Sequence, residues 1–444
     1  MNMAVQAKKT KAEQEYSDQF KAALDTLPGD ASVKEVRAKA ITRFEDIGLP
    51  NRRVEEWKYT DLRAAFQEAY PVAKHDTADL TDAELKAACG SFAELDCYRV
   101  VFVNGRYRAD KFGYGNGIDV QSLNDLFEEK PSWVLEQLQK AITFPENDAS
   151  LALNSAFMTD GVAVQISSQI DKPVHIVFIN RGSEASSVNT RNIISVAEGS
   201  SATIVEQFVT LGDTAFQTNT VTETVLGNGA ELNHIKVQTE SATGSHLSTW
   251  TVTIGEKARY SPFQLTSGAA LSRDQLHARF DGEYASINFG SVFLGRDKQH
   301  ADTTLVVDHA VPHCESREHY KGVMADKARG VFQGKLMVKK IAQKTDGKQM
   351  AQALLLSEDA EFDAKPELEI FADDVVCGHG ATSGQIDEDL LFYLRARGIP
   401  EVQAKALLIQ AFTGETLELV ENEDIRECLS AIVVDWLGTA KSEV

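Results

Sequence analysis

Cysteine is scarce in this chain: five in 444 residues, an odd number. So few thiols supply no disulfide framework and suit a reducing compartment. Positive charge is also in deficit. Lys and Arg total 45 against 66 Asp and Glu, a formal net charge of −21. A chain this acidic repels phosphate backbones and anionic lipid, so neither nucleic acid nor a membrane surface is an expected partner. No run approaches the roughly 18 consecutive apolar residues that cross a bilayer. The N-terminus carries Lys8, Lys9 and Lys11 with no apolar stretch behind them, and Glu13 and Glu15 follow at once. It reads as neither a secretory leader nor a transit peptide, and the cytoplasm is the expected compartment.

Familiar catalytic signatures are missing as well. There is no G-x-x-x-x-G-K-[ST] loop, no G-x-G-x-x-G opening a helix, no G-x-S-x-G, no H-E-x-x-H and no C-x-x-C. The commoner phosphate, dinucleotide, acyl-transfer and zinc chemistries therefore have no seat here, and a non-enzyme is expected.

What is present is an ordinary globular composition, 43% apolar and 25% charged, arranged in three zones. The first, residues 1–155, is mixed and mostly helical. Ser32-Val33-Lys34-Glu35 has the form of a capping box, and Val33, Val36, Ala40, Ile41 and Phe44 then recur at helical spacing until Gly48 and Pro50. Tyr98 to Val103 reads as a strand turning at Asn104-Gly105. The second zone, 156–385, holds short alternating runs of Val, Ile, Thr and Ser, the pattern of strands. The third, 386–444, is helical again. Asp387, Glu388 and Asp389 open one helix, Gly398 closes it, and Pro400 can start the next. Ala404, Leu407, Leu408, Ala411 and Phe412 form that helix's apolar stripe. Ile425, Cys428, Leu429, Ile432, Val433, Trp436 and Leu437 form a further stripe, able to bury against its own domain or against a partner.

The middle zone repeats. Gly199, Gly227, Gly255 and Gly282 each begin a G-x-x-A turn, 28, 28 and 27 residues apart, with looser echoes at Ala325–Ala328 and Ser357–Ala360. Strand–turn–strand units at a fixed period must stack to bury their apolar faces, so a stacked β architecture is predicted.

Two polar clusters can carry chemistry. Between Asp308 and His319 lie three His, a Cys and several carboxylates. His309, His313 and Cys314 are candidate metal ligands there, and a hydrogen-bonded polar turn is the alternative. In the second cluster Cys377 and His379 stand two apart, so on a strand they share a face. Two ligands do not close a zinc or cluster site; others must come from elsewhere in the chain or from a partner. A buried thiol beside a hydrogen-bonded imidazole is the alternative.

From this second cluster onward, Cys377-Gly-His-Gly-Ala-Thr-Ser-Gly-Gln-Ile-Asp-Glu-Asp-Leu-Leu-Phe-Tyr-Leu-Arg-Ala-Arg-Gly-Ile399 closely resembles the C-terminal signature of the SufD family, scaffold subunits of the SUF iron–sulfur cluster assembly machinery. Gly48–Leu62, Ser316–Gly322, Gly330–Lys335, Ala342–Gly347 and Lys365–Ile370 match further family segments in order. The paralogous SufB type usually has Glu where this chain has Gly380, and an N-terminal cysteine motif not found here. The resemblance implies a right-handed parallel β-helix core between helical ends. It implies partnership with SufB and with SufC, an ABC-type ATPase that would supply the only ATP chemistry. It also implies a transient iron–sulfur cluster shared with the partner subunit, with His379 and Cys377 as ligand candidates. The C-terminal helices would dock the ATPase, with Leu429, Val433 and Trp436 as candidate contacts. The expected function is that of a non-catalytic scaffold, with a SufB-like paralogue or a polymer-degrading β-helix enzyme as alternatives. A metal-storage homodimer built on the 308–319 cluster is a further one. An exposed β edge would also permit a homodimer of the isolated subunit.

Overall fold

The computed structural model describes residues 9–108, 117–129, 132–141 and 148–439. Residues 1–8, part of the segment read above as no leader, lie outside them.

Nineteen strands are present among the described residues. The first ten are β1 Tyr98–Val103, β2 Arg106–Tyr107, β3 Ile118–Ser122, β4 Val162–Ile166, β5 Val174–Arg181, β6 Ser186–Val196, β7 Ser201–Leu211, β8 Phe216–Leu226, β9 Glu231–Gln238 and β10 Ser245–Ile254. They continue as β11 Arg259–Thr266, β12 Leu271–Phe280, β13 Ser286–Gly295, β14 His300–His309, β15 Glu315–Met324, β16 Arg329–Val338, β17 Asp346–Leu355, β18 Glu361–Ile370 and β19 Val376–Gly384. From β4 onward each strand pairs in parallel with the strand two further along, so even strands build one sheet and odd strands the other. The chain thus winds as a parallel β-solenoid, as the repeat predicts. Only at its beginning are there antiparallel partners: β3 runs against β4, and β2 against β1. Asn104 and Gly105 both take positive φ, 49° and 70°, as the tight β1–β2 turn requires.

All four G-x-x-A turns lie on the edge where even strands hand over to odd ones. Gly227, Gly255 and Gly282 are in phase, each three residues before a buried Ala: Ala230, Ala258 and Ala285. Gly199 is two residues out; its backbone counterpart is Gly229, and each donates its N–H to the next coil's turn. The echoes at Ala325 and Ser357 sit on the opposite edge, so they belong to a different set of turns. The in-phase glycines are needed for closeness of stacking. A Cβ on Gly282 would lie 2.0 Å from the Glu256 nitrogen, and one on Gly255 2.8 Å from the Leu226 oxygen. The position demanding left-handed backbone comes one residue before the small buried one. It is filled in turn by Gly199, Gly229, Lys257, Tyr284, His313 and Lys344, with φ of 65°, 63°, 55°, 60°, 60° and 63°.

Both outer faces of the solenoid are covered, which is why strands such as β6 are buried almost throughout. The helices α1 Lys11–Ala23, α2 Ala31–Ile47, α3 Leu62–Ala65, α4 Asp82–Cys89, α5 Leu123–Glu129, α6 Ser132–Ala141 and α7 Ala149–Phe157 precede the main coils. Tyr16, Phe44, Trp57 and Phe157 gather with Leu247 of the even sheet, and the Arg273 guanidinium lies 3.9 Å from the centre of a Trp57 ring. The cap of α2 is Asp30, which accepts from the N–H groups of Ser32 and Val33; Ser32 is already inside the helix. Asp wins because it sits at the boundary with extended backbone. Capping boxes do form at Thr10 with Glu13 and at Thr81 with Glu84.

After the coils come α8 Glu388–Ala396, α9 Glu401–Leu417 and α10 Glu423–Thr439. Asp387 caps α8, Gly398 follows it with φ of 85°, and Pro400 stands just before α9. The buried side of α9 is Ala404, Ile409, Thr413, Thr416 and Leu417, whereas Leu407 and Ala411 face solvent, a rotation from the expected stripe. Ile425, Leu429, Val433 and Trp436 of α10 pack with Val205, Ile235, Val237, Leu265, Val292 and Leu294 on the outer face of the odd sheet.

Between the sheets the interior is part apolar and part polar. Glu206 accepts from Trp250 Nε1 at 3.0 Å, Thr222 Oγ1 at 2.8 Å and Asn192 Nδ2 at 3.3 Å. The His234 ring stacks on Trp250 with centroids 3.8 Å apart. Lys236 pairs with Asp274, both buried.

Candidate functional site

The two ends of the solenoid differ. At the start, antiparallel strands and helices close the coils. At the finish, β18 and β19 are the last strands of their sheets, with no further strand beyond them among the described residues. β17 and β16 shelter only one long side of each, so the final coil is largely exposed. Ile370, Phe371 and Val376 stand in solvent there, Val376 at 61% exposure. Unpaired strand edges with apolar side chains are ready-made pairing surfaces.

Cys377 and His379 both lie on β19. Cys377 pairs with Gly347, and His379 with Gln349. The thiol packs with Val338, Ala342, Ala372 and Val375. A Cβ on Gly347 would meet Cys377 Sγ at 3.7 Å and Ser316 Oγ at 3.2 Å, so Cys377 is on the same inward side as buried Ser316. His379, two residues on, shares that side. It is exposed because no coil covers the end, even though its strand alternation aims it at the solenoid axis. Among the described residues none hydrogen-bonds its ring. Gly378 has open space beside it, which permits close approach from outside.

Burial raises the Cys377 thiol above its usual range, opposed by the Gly347 N–H and reinforced by Asp346 and Glu318. The free chain therefore holds a thiol there, and a metal or a cationic partner would be needed to draw out the thiolate. The arrangement offers one imidazole and one sulfur at the mouth of an incomplete coil. These are donors suited to iron or zinc, and too few to close a site.

The other sequence candidates are dispersed. His309 points into the core, where Nε2 lies 3.0 Å from Ser316 Oγ, and burial drives its pKa down to about 3. His313 occupies the left-handed corner position, stacked on Tyr284 at 4.7 Å. Cys314 is buried under that corner, its Sγ–H directed at the Gly282 and Pro312 carbonyls, with its thiol raised to about 11 chiefly by burial. One residue is buried in the core, one is spent on the corner of the turn and one is buried beneath that corner. Among the described residues no three His, Cys, Asp or Glu gather as a metal site, so this cluster is the hydrogen-bonded turn of the alternative reading.

Leu429, Val433 and Trp436 are 0%, 1% and 8% exposed. Their stripe is internal packing, and Trp436 also carries the Arg296 guanidinium over its ring at 4.5 Å. Among the described residues the large apolar side chains exposed on these helices are Leu390, Phe392 and Tyr393 on α8, Val402 and Leu407 on α9 and Val434 on α10, Phe392 at 73%.

Two residues beside the site were not legible in the sequence. Glu318 and Gln349 occupy the same register as His379 on the two strands beneath it. Nothing local marks them, since they become neighbours only through parallel pairing across about 30 residues of chain.

Residues 178–412 match the family described as SUF system FeS cluster assembly, SufBD core domain, and residues 10–176 the SufBD protein N-terminal region. The chain is 32% identical to the iron–sulfur cluster assembly protein SufD of Escherichia coli, over 86% of this chain and 87% of that protein. It is 25% identical to SufD of Bacillus subtilis, over 96% and 98%. A SufBD family iron–sulfur cluster assembly protein of Synechocystis is 29% identical over 90% and 91%.

Proposed function

The chain belongs to the SufBD family of iron–sulfur cluster assembly proteins, and we propose that it serves there as a non-catalytic scaffold of the SufD type. The observation that carries this reading is the unfinished last coil. A paralogous solenoid of the SufB type can add its own edge to β18 and β19, continuing both sheets. That union would bring a second set of ligands to His379, with Cys377 beside it, so that a nascent cluster is held between the two chains as cargo. The same edge explains how a second copy of this chain could occupy the site when the subunit is isolated. No helix among the described residues is long and apolar enough to cross a membrane. The cytoplasm is the compartment this reading takes.

ATP enters only through a partner of the SufC type. Family resemblance assigns docking to the C-terminal helices, and the exposed face of Leu390, Phe392, Tyr393 and Val402 is the surface suited to it. The buried α10 stripe transmits whatever motion the helices undergo to the odd sheet on which it lies. Membership of the family supports the scaffold reading over a polymer-degrading enzyme or a metal-storage homodimer.

The test is His379→Ala. The variant should assemble with SufB and SufC and melt near the parent, yet accumulate little iron and sulfide. Full cluster content would refute the ligand role. A variant unable to form the complex would make His379 a structural residue of the junction. For the helices, Phe392→Glu with Val402→Glu should abolish capture of SufC without lowering the melting temperature.

A further inference from the structure

Glu318, Gln349 and His379 form one inward-facing column across β15, β17 and β19. Neighbouring strands are about 4.8 Å apart, so Gln349 lies one step and Glu318 two steps inside the open end. Gln349 is 2% exposed and Glu318 not at all. Neither amide atom of Gln349 and neither oxygen of Glu318 makes a hydrogen bond of ordinary geometry. Burial pushes the Glu318 carboxyl up to about 8, with smaller opposing pulls from the Ser316 hydroxyl and Arg317. At neutral pH it is largely an uncharged acid, able both to donate and to accept.

Each buried polar group left unpaired costs about 1–3 kcal/mol, and such groups in a folded protein call for a reason. Apolar alternatives fit this column, since Phe289 occupies it one strand deeper. Space is also kept for the amide: a Cβ on Gly334 of the facing sheet would lie 2.9 Å from Gln349 Nε2. Apart from the weak pull of the Ser316 hydroxyl on Glu318, the polar pair is thus held beneath the exposed imidazole with its hydrogen-bonding capacity unspent.

We propose that Gln349 and Glu318 are positioning residues for His379: the Gln349 carboxamide oxygen accepts the N–H of the imidazole nitrogen turned away from the cluster, and Glu318 holds the Gln349 amide in turn. A ligating histidine nearly always gives its second N–H to an acceptor, which fixes its tautomer and orientation. The free chain has the acceptor waiting, and ligation turns the ring onto it. The proposal rests on His379 as a ligand, and its test separates the two.

Gln349→Leu, Glu318→Leu and the conservative Glu318→Gln are each prepared as full chains in the SUF complex. Gln349→Leu and Glu318→Leu should form the complex and melt at or above the parent temperature, because they remove an unsatisfied buried group. Their iron and sulfide content should fall roughly tenfold, the usual effect of losing an outer partner of a metal ligand. The nitrogen hyperfine coupling of the bound imidazole, read by pulsed electron paramagnetic resonance on the reduced cluster, should change in both and return with Glu318→Gln. Parent-like cluster content and coupling in Gln349→Leu overturn the proposal. So does a lowered melting temperature with parent-like cluster content, which is what a structural role would give. If His379→Ala loses the cluster while Gln349→Leu does not, this inference fails alone. If His379→Ala keeps it, the ligand reading fails and takes this inference with it.

Discussion

Lys236 on β9 and Asp274 on β12 pair across the solenoid interior with side chains 0% and 3% exposed. Thr266 Oγ1 donates to the second Asp274 oxygen at 3.0 Å, and the Lys236 ammonium lies 5.7 Å from the centre of the Phe208 ring. Lys236→Met keeps the length of the side chain and removes its charge. It leaves the Asp274 carboxylate in a closed interior with one hydroxyl for company. Breaking a buried pair from one side costs about 3–5 kcal/mol, since the surviving charge has lost both water and partner. Asp274→Leu should cost a similar amount by stranding the ammonium. The double variant strands nothing, and exchange of a buried pair for apolar residues is commonly neutral or stabilising. It should therefore unfold within about 1 kcal/mol of the parent or above it, and the coupling in the cycle should exceed about 3 kcal/mol. Urea unfolding followed by tryptophan fluorescence reads this directly, with Trp250 in the same interior. A cost below about 1 kcal/mol for Lys236→Met, or a double variant no better than the singles, would mean that water reaches the pair. The picture of a closed interior would then be wrong.

Three further outcomes follow from other parts of the molecule. Glu318 has its folded pKa raised to about 8, mainly by burial, so its uncharged form is the one the fold accepts. Its contribution is intact below the unfolded carboxyl pKa of about 4.3 and is lost as pH rises through 8. The melting temperature of Glu318→Gln relative to the parent should therefore climb from pH 5 to pH 8, and a constant difference would refute the assignment. Deleting residues from 386 onward would uncover Val205, Ile235, Val237, Leu265, Val292 and Leu294, so the remnant should aggregate in size-exclusion chromatography; a soluble monomer would show that α9 and α10 are not its cover. Lastly, the chain purified free of any ATPase should hydrolyse no ATP, having no loop to cradle the phosphates; turnover surviving rigorous purification would refute this.

The stacked core was legible because its in-phase glycines answer to a steric demand that sequence displays. At Gly255 and Gly282 the preceding coil lies too close for any side chain. The left-handed corner was not legible, because Lys257, Tyr284, His313 and Lys344 accept a conformation that no residue type announces. That hidden rule is also what scattered the supposed metal cluster: His313 and Cys314 are a corner residue and the small residue behind it. Strand alternation puts Cys377 and His379 on one side of β19, and only pairing shows that the Cys377 side is the inside. The α10 stripe was visible as a stripe; which surface it meets depends on the odd sheet being apolar on its outer face too, a fact spread over six residues on four strands. Glu318 and Gln349 look like ordinary solvated residues until the register sets them in file beneath His379.

The bare final coil has a consequence for how the molecule holds together. In a stack, each turn draws its stability from the turns on either side, and an end turn has one neighbour instead of two. Opening should therefore begin at β18 and β19 and spread inward, giving their amides the fastest hydrogen exchange in the solenoid. A chain that docks there supplies the absent neighbour, and whatever free energy it contributes appears as slowed exchange at Cys377 and His379 themselves. The grip on such a chain and the rigidity of these two side chains are then one thermodynamic quantity, read from either side.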